Sequence, residues 1–138
     1  GIMEQELKRQ AHELGVANRV RFLGWLEDPA PFFAASDIFV CSSRHEPFGN
    51  IVIEAWSQKV PLVAAASEGP SQLIEHEKTG LLFPKEDHKA MANAISQVKN
   101  DERLKEGLAL AGREKYEREF SEEKVVSQYL GLFKRLIA

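Results

Sequence analysis

Apolar and polar positions along the chain fall into two alternating periods, one helical and one extended. Met3, Leu7, Ala11 and Leu14 recur at helical spacing, and Gly15 stands where a helix C-cap would. Residues 19–24 then alternate charged and apolar groups, which predicts a strand with one exposed face. Asp28 and Pro29 read as the N-cap and first-turn proline of a short helix through Ala35, with Phe32 and Phe33 inward. The apolar, β-forming run 37–42 predicts a strand, 51–58 a helix, and 60–66 a parallel strand covered on both faces. Ser67 to Ile74 is a second strand-loop-helix junction, and residues 80–83 predict one more strand. Asp87 N-caps a helix with Met91, Ala94, Ile95 and Val98 in one apolar stripe. Residues 101–119 predict a charged helix with Leu104, Leu108 and Ala111 inward, where Gly107 and Gly112 weaken the helix and mark close packing. Ser121 caps a last helix bearing Val125, Tyr129, Leu132, Phe133 and Leu136 on one face. Strands alternating with helices predict an α/β domain with a mostly parallel sheet.

Composition narrows the class. A chain of 138 residues with 43% hydrophobic and 28% charged residues has the size and balance of one globular domain. Its net charge of −3 gives no basic footprint for nucleic acid. The single cysteine, Cys41, lies in a predicted strand and reads as a small buried hydrophobe. The four histidines have no metal-ligand spacing, so no metal and no cofactor is expected. The first residues carry neither the basic region nor the apolar core of a signal peptide, and a cytoplasmic location is expected. Basic residues such as Lys8, Arg9, Arg19 and Arg21 read as solvated faces that leave room for peripheral contact with anionic lipid at the inner face of a membrane.

The candidate chemistry concentrates at residues 44–55, where a strand, a Gly-containing turn and a helix start meet around two carboxylates. Pro47 and Gly49 interrupt the apolar strand, so Glu46 belongs to a loop at its carboxyl end and Glu54 to the helix that follows. The first N–H groups of a helix lack intrahelical acceptors and carry the positive end of the macrodipole. Gly49, Asn50 and Ile51 are therefore a candidate phosphate seat. Asn50 and Glu54, four apart, share a helix face, which places a carboxylate one turn from the anion, suited to a ribose diol. Spacing alone does not separate this reading from a purely structural junction.

The stretch from Glu46 to Glu54, written E-P-F-G-N-I-V-I-E, resembles the E-x7-E signature of retaining GT-B glycosyltransferases. Phe22-Leu23-Gly24 resembles that family's F-x-G strand end, residues 36–40 its S-D-hydrophobic strand, and Thr79-Gly80-Leu81-Leu82 its T-G-L-L segment. The resemblance implies the C-terminal half of a GT-B architecture, a partial doubly wound, Rossmann-like sheet flanked by helices. It implies a donor-binding part that moves a sugar from a nucleotide diphosphate sugar, with UDP favoured, to a glycan or lipid-linked acceptor in cell-envelope glycan synthesis. In that frame Glu46 orients the transferred sugar, Phe48, Gly49, Asn50 and Ile51 surround the diphosphate, Glu54 holds the ribose, and the backbone near Leu26 lies against the base. Residues 67–74 resemble the family's G-G-x-x-E segment, with Glu68 in place of its first glycine and Gln72 in place of its glutamate. Gly69 is expected to line the pocket, because ligands of open α/β sheets bind at the carboxyl edge.

The resemblance also implies what is absent: the acceptor domain, the first two βα units of the donor domain, and the basic residue that neutralises the diphosphate. A single partial nucleotide-sugar domain over 1–138 follows, inactive alone. With two strands missing, either the strand at 20–23 pairs directly with the one at 38–42, or a homodimer covers the open edge. Two other functions fit the same frame, a GT-B sugar-nucleotide epimerase and a non-catalytic binding module.

Overall fold

The computed structural model describes residues 2–137. Three strands, β1 (Phe39–Cys41), β2 (Leu62–Ala65) and β3 (Leu81–Phe83), form one parallel sheet in the order β1-β2-β3. Phe39 aligns with Leu62 and Cys41 with Ala64, while Val63 aligns with Leu81 and Ala65 with Phe83. Parallel neighbours need crossovers, which the segments carrying α3 and α4 provide on one face, while α5 and α6, after β3, cover the other. The helices are α1 (Glu4–Glu13), α2 (Ala30–Ala34), α3 (Asn50–Ser57), α4 (Glu68–Leu73), α5 (His88–Asn100), α6 (Glu102–Glu119) and α7 (Glu122–Ile137).

The side chains of β2 explain why it is central. Successive residues of a strand face opposite sides. Leu62 and Ala64 enter one cluster with Cys41, Val52, Trp56 and Ile74, and Val63 and Ala65 enter another with Leu81, Phe83, Val98 and Leu108. Both faces are therefore dry, which accounts for the unbroken apolar run in the sequence. A third cluster of Phe33, Ala55 and Val60 fastens α2 to α3, with the Phe33 and Phe39 rings 4.8 Å apart.

Trp56 anchors the site helix from behind. It is fully buried, and its indole N–H donates to the Thr79 carbonyl at 2.9 Å, which satisfies the one polar atom of a large apolar side chain. Gly112 of α6 lies against the indole so closely that a Cβ there would sit 2.3 Å from Trp56 Cδ1. The expected close packing is real at Gly112, whereas a Cβ at Gly107 would meet open space. The Arg113 guanidinium adds a bond to the Ser57 carbonyl at the end of α3.

Several expectations need correction. Residues 20–23 form no strand; Ala17–Arg19 is a 3-10 helix, and the following segment joins no sheet. An alternating pattern specifies a strand only where another strand accepts its hydrogen bonds, and none lies beside this segment. Direct pairing with β1 is thereby contradicted, and β1 stands at the sheet edge. In α2 only Phe33 is inward at 7% exposure, whereas Phe32 is 44% exposed. The apolar face of α7, with Tyr129, Leu132, Phe133 and Leu136, is also exposed.

Candidate functional site

The turn after β1 ends in Gly49, which adopts the left-handed conformation at φ 72° and ψ 27° and is the N-cap of α3. Only glycine takes that conformation without strain, and here space also demands it. A Cβ at Gly49 would lie 2.8 Å from Leu73 Cδ1 and 3.1 Å from the Gly69 carbonyl carbon. Gly49 is itself buried, whereas Asn50, the first residue of α3, is exposed. Val52 and Ile53 N–H donate to the Gly49 carbonyl, while those of Asn50 and Ile51 meet no acceptor among the described residues.

Glu46 sits half-buried at this tip. Its carboxylate accepts from the Gly49 N–H at 3.2 Å, and its backbone carbonyl accepts from the Gly69 N–H at 2.7 Å. A carboxylate at a helix N-terminus is stabilised by the dipole. The Asn50 and Ile51 N–H groups are the donors that a phosphate oxygen could use. Phe48 projects beside them at 78% exposure, Asn50 is exposed and Ile51 half-buried.

Glu54, exposed one turn further along α3, lines a cavity of about 240 Å³ with Asp28, Pro29, Phe33 and Gln58. The N-cap of α2 is Pro29 and not Asp28 as expected; Asp28, one residue earlier, accepts from the Ala30 N–H at 3.0 Å. The cavity therefore lies between the start of α2 and the carboxyl-terminal half of α3, and of the candidate site residues only Glu54 lines it. Leu26 is half-buried two residues before that cavity begins, and no described contact joins it to the tip. Thus Glu46, Phe48, Gly49 and Gly69 are gathered at one point, Asn50 and Glu54 continue from it along α3, and Leu26 stands apart.

Gly69 does not face an open pocket. It is buried against the backbone of residues 46–49, so its part is contact between the two junctions. Beside it lies a charged group that the sequence reading missed. Glu68 is 3.5 Å from Lys85 and 3.9 Å from His45, and its own backbone N–H, Lys85 and His45 hold its carboxyl below the usual carboxylate range. Three residues separated by up to forty positions meet there only through tertiary structure. Among the described residues no group of His, Cys, Asp and Glu has the arrangement of a metal site.

An open parallel sheet with an exposed helix start and acidic residues at its carboxyl edge defines an α/β unit of the nucleotide-binding type. The sequence comparison is more particular. The profile of the glycosyl transferases group 1 family matches residues 1–115, and the chain belongs to that family. The lipopolysaccharide core biosynthesis glycosyltransferase LpsE of Rhizobium meliloti is 42% identical over 96% of this chain and 39% of its own length. LpsD of the same organism is 38% identical over 100% of the chain and 40% of its length. The chain thus spans about two fifths of the curated relatives it matches. The fold matches sucrose-phosphate synthase from Thermosynechococcus elongatus with TM-score 0.88 at 32% identity, covering 99% of this chain and 35% of that one. It matches Anabaena HepE, crystallised in complex with UDP, with TM-score 0.89 at 30% identity, covering 95% and 36%. HepE has also been crystallised with UDP-glucose. The fold is that of GT-B glycosyltransferases, of which this sheet and its helices make up one part.

Proposed function

We propose that the chain is the donor-binding, carboxyl-terminal part of a retaining glycosyltransferase that uses a nucleotide diphosphate sugar, with UDP as the base-bearing half. The observation that carries this reading is the start of α3, where the Asn50 and Ile51 N–H groups meet no acceptor among the described residues, next to a Gly49 N–H held by the Glu46 carboxylate and one turn before Glu54. Similarity over nearly the whole chain to HepE, whose complex contains UDP, supports the ligand class.

In this mechanism the diphosphate leaving group gains negative charge as its bond to the sugar breaks. Fixed N–H dipoles at the start of α3 stabilise that charge without reorganising. Glu46, beside the tip, orients the sugar, and Glu54 accepts from the ribose hydroxyls. Phe48 covers the diphosphate from the solvent side. Glu54 brings the ribose to the rim of the cavity that it shares with Asp28 and Phe33. No carboxylate is assigned a covalent role.

The acceptor reading is a cell-envelope glycan or a lipid-linked saccharide, supported by the relatives named for lipopolysaccharide core synthesis. Peripheral contact with a membrane belongs to the same proposal; among the described residues no helix is long and apolar enough to cross one. The bare edge of β1 is where a second copy would pair, and sedimentation of this chain as a monomer at high concentration would exclude that dimer. An epimerase reading is not favoured, because the relatives are named transferases.

The test is made on the full-length gene product with a panel of UDP-glucose, UDP-N-acetylglucosamine and GDP-mannose. Glu54→Gln removes one charge-assisted hydrogen bond, worth about 1.5–3 kcal/mol, and so weakens nucleotide affinity by at least about tenfold. Glu46→Gln lowers turnover by about 100-fold with UDP affinity retained, as expected of a group that acts on the sugar. Unchanged nucleotide affinity in Glu54→Gln, or full turnover in Glu46→Gln, defeats the reading.

A further inference from the structure

We infer that Gly69 is a positioning residue for the transfer reaction: its contact with residues 46–49 sets the place of the sugar-orienting carboxylate and of the helix tip. The inference rests on the donor-site reading above and adds a residue that need not touch the donor.

Three observations carry it. The Gly69 N–H donates to the Glu46 carbonyl at 2.7 Å, a tether 23 residues long in sequence that fixes the backbone bearing the Glu46 side chain. A Cβ at Gly69 would meet backbone in three places, at 2.3 Å from Gly49 N, 2.5 Å from Phe48 C and 2.7 Å from Glu46 O. Those atoms cannot swing aside as a side-chain end does, so any residue but glycine pushes the loop bodily. Gly49 reciprocates, since its own missing Cβ leaves room for Gly69 and Leu73. The two glycines are the place where the junction after β1 and the junction after β2 touch.

Conformation does not explain the residue. Gly69 lies in the first turn of α4 outside the left-handed region, unlike Gly49, so its φ is open to alanine. Only the contact forbids a side chain. A Cβ there is 2.3 Å from a neighbour, where ordinary contact begins at 3.4 Å. The loop must retreat by about 1 Å, a displacement that costs an enzyme about 100-fold when it moves reacting groups.

The experiment compares wild type, Gly69→Ala and Gly107→Ala in the full-length gene product, using whichever sugar nucleotide of the panel the wild type accepts. Gly107 is a helix glycine with open space around its missing Cβ and stands outside the site. Turnover of the folded Gly69→Ala enzyme, assayed well below its melting midpoint, falls about 100-fold, while Gly107→Ala stays within about twofold. A folded Gly69→Ala enzyme with kcat within threefold of wild type overturns the inference. A second measurement does not depend on the variant folding. In a UDP titration of the wild-type chain followed by amide NMR, the Gly69 resonance shifts in step with that of Gly49, because the tether runs through Glu46. A Gly69 resonance that stays still while Gly49 moves overturns the clamp and leaves the donor site standing. A Gly49 resonance that stays still at saturating UDP defeats the donor-site reading, and the clamp falls with it.

Discussion

Replacing either glycine of α6 by alanine probes how the site helix is held, and the two substitutions should move stability in opposite directions. Glycine in a helix interior costs about 1 kcal/mol relative to alanine. At Gly107 nothing lies within 4 Å of the added Cβ, so Gly107→Ala collects the full gain of about 1 kcal/mol. At Gly112 the same gain is set against the indole of Trp56, whose Cδ1, Nε1 and Cγ would lie 2.3, 2.7 and 3.1 Å from the new atom. The ring is fully buried, lies 6.2 Å from the tilted Phe120 ring and is bonded to Thr79, so it has little room in which to yield. Overpacking a filled core costs about 1–3 kcal/mol, and weakening the indole hydrogen bond about 1 kcal/mol more. Gly112→Ala should therefore lose about 2 kcal/mol net. For a domain of this size 1 kcal/mol corresponds to about 4 °C, which predicts a rise of about 4 °C for Gly107→Ala and a fall of about 8 °C for Gly112→Ala. Thermal and urea denaturation of the 138-residue chain read both changes. If Gly112→Ala proves as stabilising as Gly107→Ala, the indole is not wedged against α6, and the account of how α3 is fixed behind the site is wrong.

Two further predictions follow from charge. Lys78 and Lys115 hold the Glu75 carboxyl below its ordinary value of 4.5, and Lys115 also donates to the Leu73 carbonyl at the end of α4. A depressed folded-state pKa stabilises the fold above the unfolded value, and the contribution is lost as pH falls through the folded one. The melting midpoint of Glu75→Gln should lie below that of wild type at pH 7, with the two converging as pH drops below 4.5; a gap that persists through acid would remove the ion pairs from the account. The Glu68 carboxyl, depressed by its own N–H, Lys85 and His45, follows the same sign. Lys85→Met should shift its titration upward by carbon NMR, and an unmoved titration would mean that Lys85 does not reach it.

Much of the fold is legible because local pattern and tertiary environment agree. The stripe of Met91, Ala94, Ile95 and Val98 becomes the inner face of α5, and Asp87 caps that helix by accepting from Lys89 and Ala90 N–H. The apolar run of β2 is buried on both faces. Where pattern misleads, the missing information is the partner. Residues 20–23 have a strand's alternation but no neighbouring strand, and the apolar face of α7 has a helix's stripe that stays exposed at Tyr129, Leu132, Phe133 and Leu136.

The site divides along the same line. The Gly49 turn, the helix start and the placing of Glu46 and Glu54 on either side of it follow from residues close in sequence. The contact of Gly69 with the Glu46 loop, and the meeting of His45, Glu68 and Lys85, join residues remote in sequence, and no spacing rule reaches them. Gly69 was expected at the right edge of the sheet, but against backbone its lack of a side chain serves packing first.

The most direct measurement is an amide NMR titration of this chain with UDP. The N–H resonances of Gly49, Asn50 and Ile51 should move together and saturate, and Glu54→Gln should weaken that response by about tenfold or more. Saturable binding that leaves these three resonances unmoved, or no binding at millimolar UDP, would contradict a diphosphate seat at the start of α3.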